Sequence, residues 1–227
     1  MSATAEQLPL GMRPAEYDRL GELLDSCQPK ATLETGLANG GSAVILCDWL
    51  AKNTNGQHTA IDPFQSAPKP KGFDNAGVMA VEQSGQGNRL TVIEDFGHMA
   101  LPRLVAEGRK FQFVLIDGYH SFDYTLLDLF YADLLLDDGG YVVVHDTGMP
   151  AVYKACRFLE TQKPYERLSP PIGETRSSFY GKVSRRVGQL LNGTWKAFEE
   201  RRTKWFSLAA YKKQSSRLTE EWAACDF

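Results

Sequence analysis

Between residues 31 and 146 the chain alternates two hydrophobic rhythms. Short apolar runs, ATLETG, HTAIDPF, RLTVIED, FQFVLIDG and GYVVVHD, each end in Gly, Asp or Glu. Between them lie longer stretches of helical period, SAVILCDWLAKN, AGVMAVEQSG, ALPRLVAEG and YTLLDLFYADLLL. Strands alternating with helices predict βαβ units and a doubly wound, Rossmann-like α/β fold with a mostly parallel sheet. The strands are apolar on both sides because helices cover both faces of such a sheet. Ahead of this core, Pro14, Tyr17, Leu20, Leu23 and Leu24 predict an opening amphipathic helix. Beyond it, AVYKACRFLETQ reads as a helix, YERLSP and SLAAYKKQ as strands, and residues 181–205 as a long amphipathic helix. The Pro/Gly/Lys stretch from Ala67 to Asn75 reads as a loop suited to a lid. Three segments follow: an N-terminal helical segment 1–30, a core 31–160, and a C-terminal part 161–227.

Composition adds constraints. The 227 residues are 43% hydrophobic and 23% charged, the range of ordinary globular chains. No run reaches the roughly 18–20 apolar residues of a membrane span, and the N-terminus has no secretory pattern. Cys27, Cys47, Cys156 and Cys225 are scattered without metal spacing, so reduced thiols and a cytoplasmic location are expected. Charge is uneven: residues 1–150 carry 10 basic and 20 acidic side chains, residues 151–227 carry 15 and 8. Trp195, Phe198, Trp205 and Phe206 stand among that basic excess, which suits core packing or a homo-oligomer contact through the C-terminal helix. An anionic lipid surface is the other use open to it.

The densest local signal is Glu34-Thr35-Gly36-Leu37-Ala38-Asn39-Gly40-Gly41-Ser42, between a predicted strand and a predicted helix. Glycine there lets the chain turn sharply and a ligand approach the backbone. Asp62 ends the next strand, 21 residues after Gly41, where doubly wound nucleotide folds place an acid on a ribose diol. The loop lacks the spacing of a pyrophosphate-binding G-x-G-x-x-G, and Glu34 would repel a phosphate. A cationic, phosphate-free nucleoside fits better. S-adenosylmethionine has that character. An ordinary strand–helix turn is the plain alternative.

Asp117 and His120 follow the fourth core strand, and His145 and Asp146 the fifth. Ligands of open α/β sheets bind beyond the carboxyl ends of the strands, so these residues should face the crevice of the glycine loop. Two carboxylates from neighbouring strands can share a divalent cation, with His120 as a base. Read singly, Asp117 and Asp146 also suit helix capping, and His120 suits a neutral histidine on a backbone carbonyl.

Together, ETGLANGGSA, AIDPF, FVLIDGYHS and LLLDDGGYVVVHD resemble the class I methyltransferases, over about residues 31–148. The similarity is nearest to the macrocin-type and cephalosporin-hydroxylase-related O-methyltransferases and more distant to catechol O-methyltransferase. The resemblance implies a seven-stranded sheet with an antiparallel edge strand, and a helical insertion near the C-terminus. It implies S-adenosylmethionine on Glu34, Gly36, Gly40, Ser42 and Asp62, with Asp95 chosen from Glu94, Asp95 and Phe96 for the adenine end. It also implies a divalent metal, Mg or Mn, on Asp117, His145 and Asp146, with His120 as the catalytic base. His145 departs from the usual oxygen ligand, and imidazole suits Mn²⁺, Fe²⁺ or Zn²⁺ better than Mg²⁺. The expected reaction is O-methylation of a small-molecule or sugar hydroxyl, with no nucleic acid partner. Two competing readings are an NAD(P)-dependent oxidoreductase and a non-catalytic binding module on the same fold.

Overall fold

A computed structural model of the chain describes residues 11–168 and 208–215. The helix expected over 181–205, its aromatic and basic side chains and Cys225 lie outside the described residues.

The strands are β1 (Ala31–Thr35), β2 (Gln57–Ile61), β3 (Leu90–Ile93), β4 (Phe111–Ile116), β5 (Leu136–His145), β6 (Tyr165–Arg167) and β7 (Leu208–Lys213). The helices are α1 (Pro14–Cys27), α2 (Gly41–Asn53), α3 (Ala76–Gln83), α4 (Gly97–Ala106), α5 (Phe122–Leu135) and α6 (Pro150–Gln162). These strands form one sheet in the order β3-β2-β1-β4-β5-β7-β6. The five core strands are parallel, and β7 runs antiparallel between β5 and β6. The seven-stranded, mostly parallel Rossmann-like sheet is therefore as expected, with the antiparallel strand one place in from the edge.

Alternation along β4 explains the layering. Val114 and Ile116 belong to a core with Leu101, Leu104, Leu129, Val152 and Leu159 from α4, α5 and α6. Phe113 and Leu115 point to the opposite face, where Leu20, Leu24, Leu46 and Leu50 of α1 and α2 pack. A strand apolar at all but one position, Gln112, must be covered on both sides, and here it is. Proline opens α1 at its first position, where no helical N–H is lost, and Gln28 ends it in a left-handed conformation.

The strand order reverses beside β1, which pairs with β2 on one side and β4 on the other. The carboxyl ends of β1, β2, β4 and β5 thus share one rim of the sheet. The Ala67–Asn75 loop folds back on that rim through backbone bonds from Phe73 N to Phe64 O, Asp74 N to Ala67 O and Asn75 N to Gln65 O.

Candidate active site

The glycine loop is shaped by close approaches of the chain to itself. Gly36 has φ 90°, and a Cβ there would stand 2.1 Å from the carbonyl oxygen of Asp117. Only glycine lets the end of β1 lie so near the end of β4. Gly40, at φ 84°, packs in the same way on Gly77 at the start of α3. Asp62 organises the loop: its Oδ2 accepts from Leu37 N (3.1 Å), Ala38 N (2.8 Å) and Gln65 Nε2 (3.1 Å), and its Oδ1 from Phe64 N (2.8 Å).

Beneath the loop sits Glu34, fully buried. It accepts from Ser42 Oγ at 2.7 Å and lies 3.1 Å from His58 Nε2, while His58 Nδ1 faces Thr32 Oγ1 at 2.8 Å. Glu34 and Ser42 therefore tie β1, β2 and α2 together.

Above the loop opens a cavity of about 280 Å³. Thr35, Gly36, Ala38 and Asp62 line one side, and Asp117, Gly118, Tyr119 and His120 another. Phe96, Gly97, Tyr124 and Asp128 close it from α4 and α5. Of the three residues after β3, Phe96 reaches the cavity. Asp95 turns to Arg103 (2.8 Å) and its neighbour Glu94 to Ser66 N (2.8 Å).

At one corner Asp117, His120 and Asp146 offer ligand atoms all within 4.8 Å of one another. His120 Nε2 is 3.4 Å from Asp146 Oδ2. Neither aspartate caps a helix: the N-cap positions of α5 and α6 are Ser121 and Met149. Asp146 has φ 53°, a left-handed conformation that aspartate tolerates better than most residues and that turns the chain sharply after β5.

Residues 33–147, more than half of the chain, match the model of a family described as a methyltransferase domain. The chain belongs to that family. Among curated proteins, a search finds no match. Solved structures share the fold at low identity. The methyltransferase resembles cofactor-bound Rv0187 from MTB with TM-score 0.65 and 16% identity, over 93% of this chain and 85% of that one. TomG, an O-methyltransferase of Streptomyces achromogenes solved with SAM, gives TM-score 0.65 and 16% identity over 91% and 82%. An O-methyltransferase from Bacillus cereus in complex with SAH gives TM-score 0.58 and 15% identity over 92% and 86%.

In this methyltransferase the two rim histidines face different ways. His120 lines the cavity beside Asp117 and turns its Nε2 to Asp146. His145 turns inward: its Nδ1 is 2.9 Å from Asp117 Oδ1 and 3.8 Å from Asp146 Oδ2, and its Nε2 is 3.4 Å from Glu16 Oε2. Burial lowers the His145 pKa, but the hydrogen bonds to Asp117 and Glu16 outweigh it and push it up to about 10. His145 is thus an imidazolium at neutral pH, clasped between two acids. Burial also raises the Asp117 carboxyl, and the bond to His145 holds part of that rise back.

Two acids of the region stand outside the sequence motifs. Glu16 is 1% exposed; it also binds Arg13 through its backbone N and its guanidinium, each at 2.7 Å. Its signal was its place on the apolar stripe of α1, one turn before Leu20. Asp128 is 4% exposed on α5. It was legible as a lone carboxylate inside the apolar stretch YTLLDLF.

Proposed function

We propose that this methyltransferase binds S-adenosylmethionine in the rim cavity and methylates a hydroxyl of a small molecule or sugar, with acid–base or metal assistance from the Asp117–His120–Asp146 corner. The observation that carries this reading is the junction of two features at one cavity: a glycine loop organised by Asp62, and opposite it Asp117 and His120, which converge with Asp146. The fold neighbours TomG and the Bacillus cereus protein, O-methyltransferases solved with SAM and SAH, support the same chemistry.

S-adenosylmethionine supplies an electrophilic methyl group for in-line displacement. The chain's own task is then to position the acceptor and remove its proton. Gly36 and Ala38 present backbone to the ligand, and Asp62 holds the loop by accepting from Leu37 N and Ala38 N. The hydroxyl proton is the costly element, because a sugar hydroxyl is a very weak acid. His120 reaches into the cavity with Asp146 behind it, the arrangement of a base whose imidazolium is stabilised once it has taken the proton.

The same three side chains suit a divalent cation. Their mutual spacing matches ligands around one ion, and their mix of imidazole and carboxylate fits Mn²⁺, Fe²⁺ or Zn²⁺ better than Mg²⁺. A cation held there would lower the pKa of an acceptor hydroxyl. His145 bears on the choice, since its imidazolium already neutralises part of the Asp117 charge.

The test is methyl transfer from labelled S-adenosylmethionine to a panel of sugar and phenolic hydroxyls, with and without chelator. Asp117→Ala and His120→Ala should each cut turnover by about 100-fold or more, with S-adenosylhomocysteine binding held within a few-fold. Chelator-sensitive turnover restored by Mn²⁺ assigns the corner to a metal; chelator-insensitive turnover assigns it to His120 as base. Full turnover in both variants would overturn the proposal.

A further inference from the structure

The cavity contains one acidic group that the reaction above does not use. Asp128 projects from α5 into the space between two glycines. Its Oδ1 lies 2.4 Å from the point where a Cβ on Gly97 would stand. Its Oδ2 and the Thr35 hydroxyl are each 3.4 Å from the equivalent point on Gly118. Glycine at position 97 is what makes room for the carboxyl, while a Cβ at 118 would only touch it. Thr35 is the only polar side chain that acts on Asp128 among the described residues, and Thr35 Oγ1 itself lacks a well-formed hydrogen bond there. Burial pushes the Asp128 pKa up to about 7, with the Thr35 hydroxyl opposing the rise. A buried carboxyl that faces a cavity, with one hydroxyl as its side-chain partner, has acceptor capacity left for a donor from a ligand.

The walls around it indicate which part of a ligand. Tyr124, one turn before Asp128, stands with its ring 5.1 Å from Tyr119 and 6.4 Å from Phe96. All three rings line the cavity. Flat aromatic walls beside a single acceptor suit a planar heterocycle carrying an N–H donor. Asp62, already engaged by four N–H groups, sits on the other side with the glycine loop, where a ribose belongs.

We propose that Asp128 is the base-reading residue of the cofactor site, accepting a hydrogen bond from the exocyclic amine of an aminopurine. This rests on the reading of the cavity as a nucleoside-cofactor site. It assigns specificity to a helix-borne carboxylate rather than to the acids that follow β3, which are occupied by Ser66 and Arg103.

The probes are S-adenosylhomocysteine and its 6-deamino analogue, which keeps the purine ring and loses only the exocyclic amine. Each is titrated calorimetrically into the full chain and into Asp128→Asn and Asp128→Leu, with thermal melts to register folding. The wild type should favour the amino form by roughly tenfold to a hundredfold, the effect of one unmet buried polar group. Both variants should lose most of that preference, and Asp128→Asn should bind the deamino analogue at least as well as the wild type does, because its amide can donate to the ring nitrogen. A wild type that binds both ligands equally overturns the proposal even if neither variant folds. Variants that weaken both ligands by the same factor also overturn it, since they would place Asp128 elsewhere on the ligand. A wild type that binds neither ligand instead removes the cofactor reading itself.

Discussion

Helix α5 carries two buried acids only five residues apart, and they live in opposite circumstances. Asp133 is surrounded by its own chain: Lys163 Nζ at 2.7 Å, Lys213 Nζ at 3.5 Å and the Tyr165 hydroxyl at 3.0 Å. Lys213, itself 2% exposed, also donates to the carbonyls of Asp133 and Leu136. That network pins β6 and β7 to the helix. Asp128, no more exposed, has the Thr35 hydroxyl and a cavity. A fold that meets every demand of one buried carboxyl and leaves its neighbour wanting marks the second as a place for something else.

The contrast can be broken from either side. Asp133→Ala leaves two lysines without their counter-ion, one of them buried, and should cost about 3–5 kcal/mol of unfolding free energy by urea titration. It should leave the turnover of the folded fraction unchanged. Asp128→Asn should do the reverse and stabilise the ligand-free protein. The Asp128 pKa is raised in the folded state, so ionising it costs stability, and that cost accrues as pH rises from about 4 to about 7. The gain from the substitution should grow over that window and level off above it, reaching about 2 kcal/mol once water in the open cavity is allowed for. A gain independent of pH between 4 and 8 would contradict the assignment.

A smaller effect sharpens the comparison at the rim. His145 has a folded pKa raised to about 10, so its contribution to stability is complete below about 6.5 and is lost as pH climbs through 10. In chelator-treated protein, Glu16→Gln should weaken this and flatten the decline, costing about 1 kcal/mol near neutrality. Melts of both proteins from pH 6 to 10 check it; parallel curves would mean that Glu16 does not hold the proton.

Much of this was legible in the chain. Short apolar runs ending in acids located the core strands, because parallel strands covered on both faces are apolar along most of their length. The glycine loop and Asp62 were readable for a related reason, since turns and strand ends have local chemistry. What local pattern does not convey is direction. His120 and His145 both end up near the aspartates at strand ends, yet His120 lines the cavity and His145 reaches Glu16 of α1, 129 residues away in sequence. Glu34 and Ser42 stand in the loop motif, but tertiary packing with His58 turns them beneath it. Asp95 and Phe96 are adjacent, and Arg103 draws the acid outward while the ring faces the cavity. Gly36 was expected to admit a ligand; in the structure it first admits the carbonyl of Asp117.

Every role proposed for the rim requires the cavity above the glycine loop to take a phosphate-free nucleoside. Calorimetric titration of the full chain with S-adenosylhomocysteine, and separately with NAD⁺ and NADP⁺, addresses that most directly. Saturable one-to-one binding of S-adenosylhomocysteine, lost in Gly36→Val with its obstructed loop and absent for both dinucleotides, is the predicted result. Binding of a dinucleotide in place of S-adenosylhomocysteine, or no heat from any of the three at millimolar ligand, would contradict it.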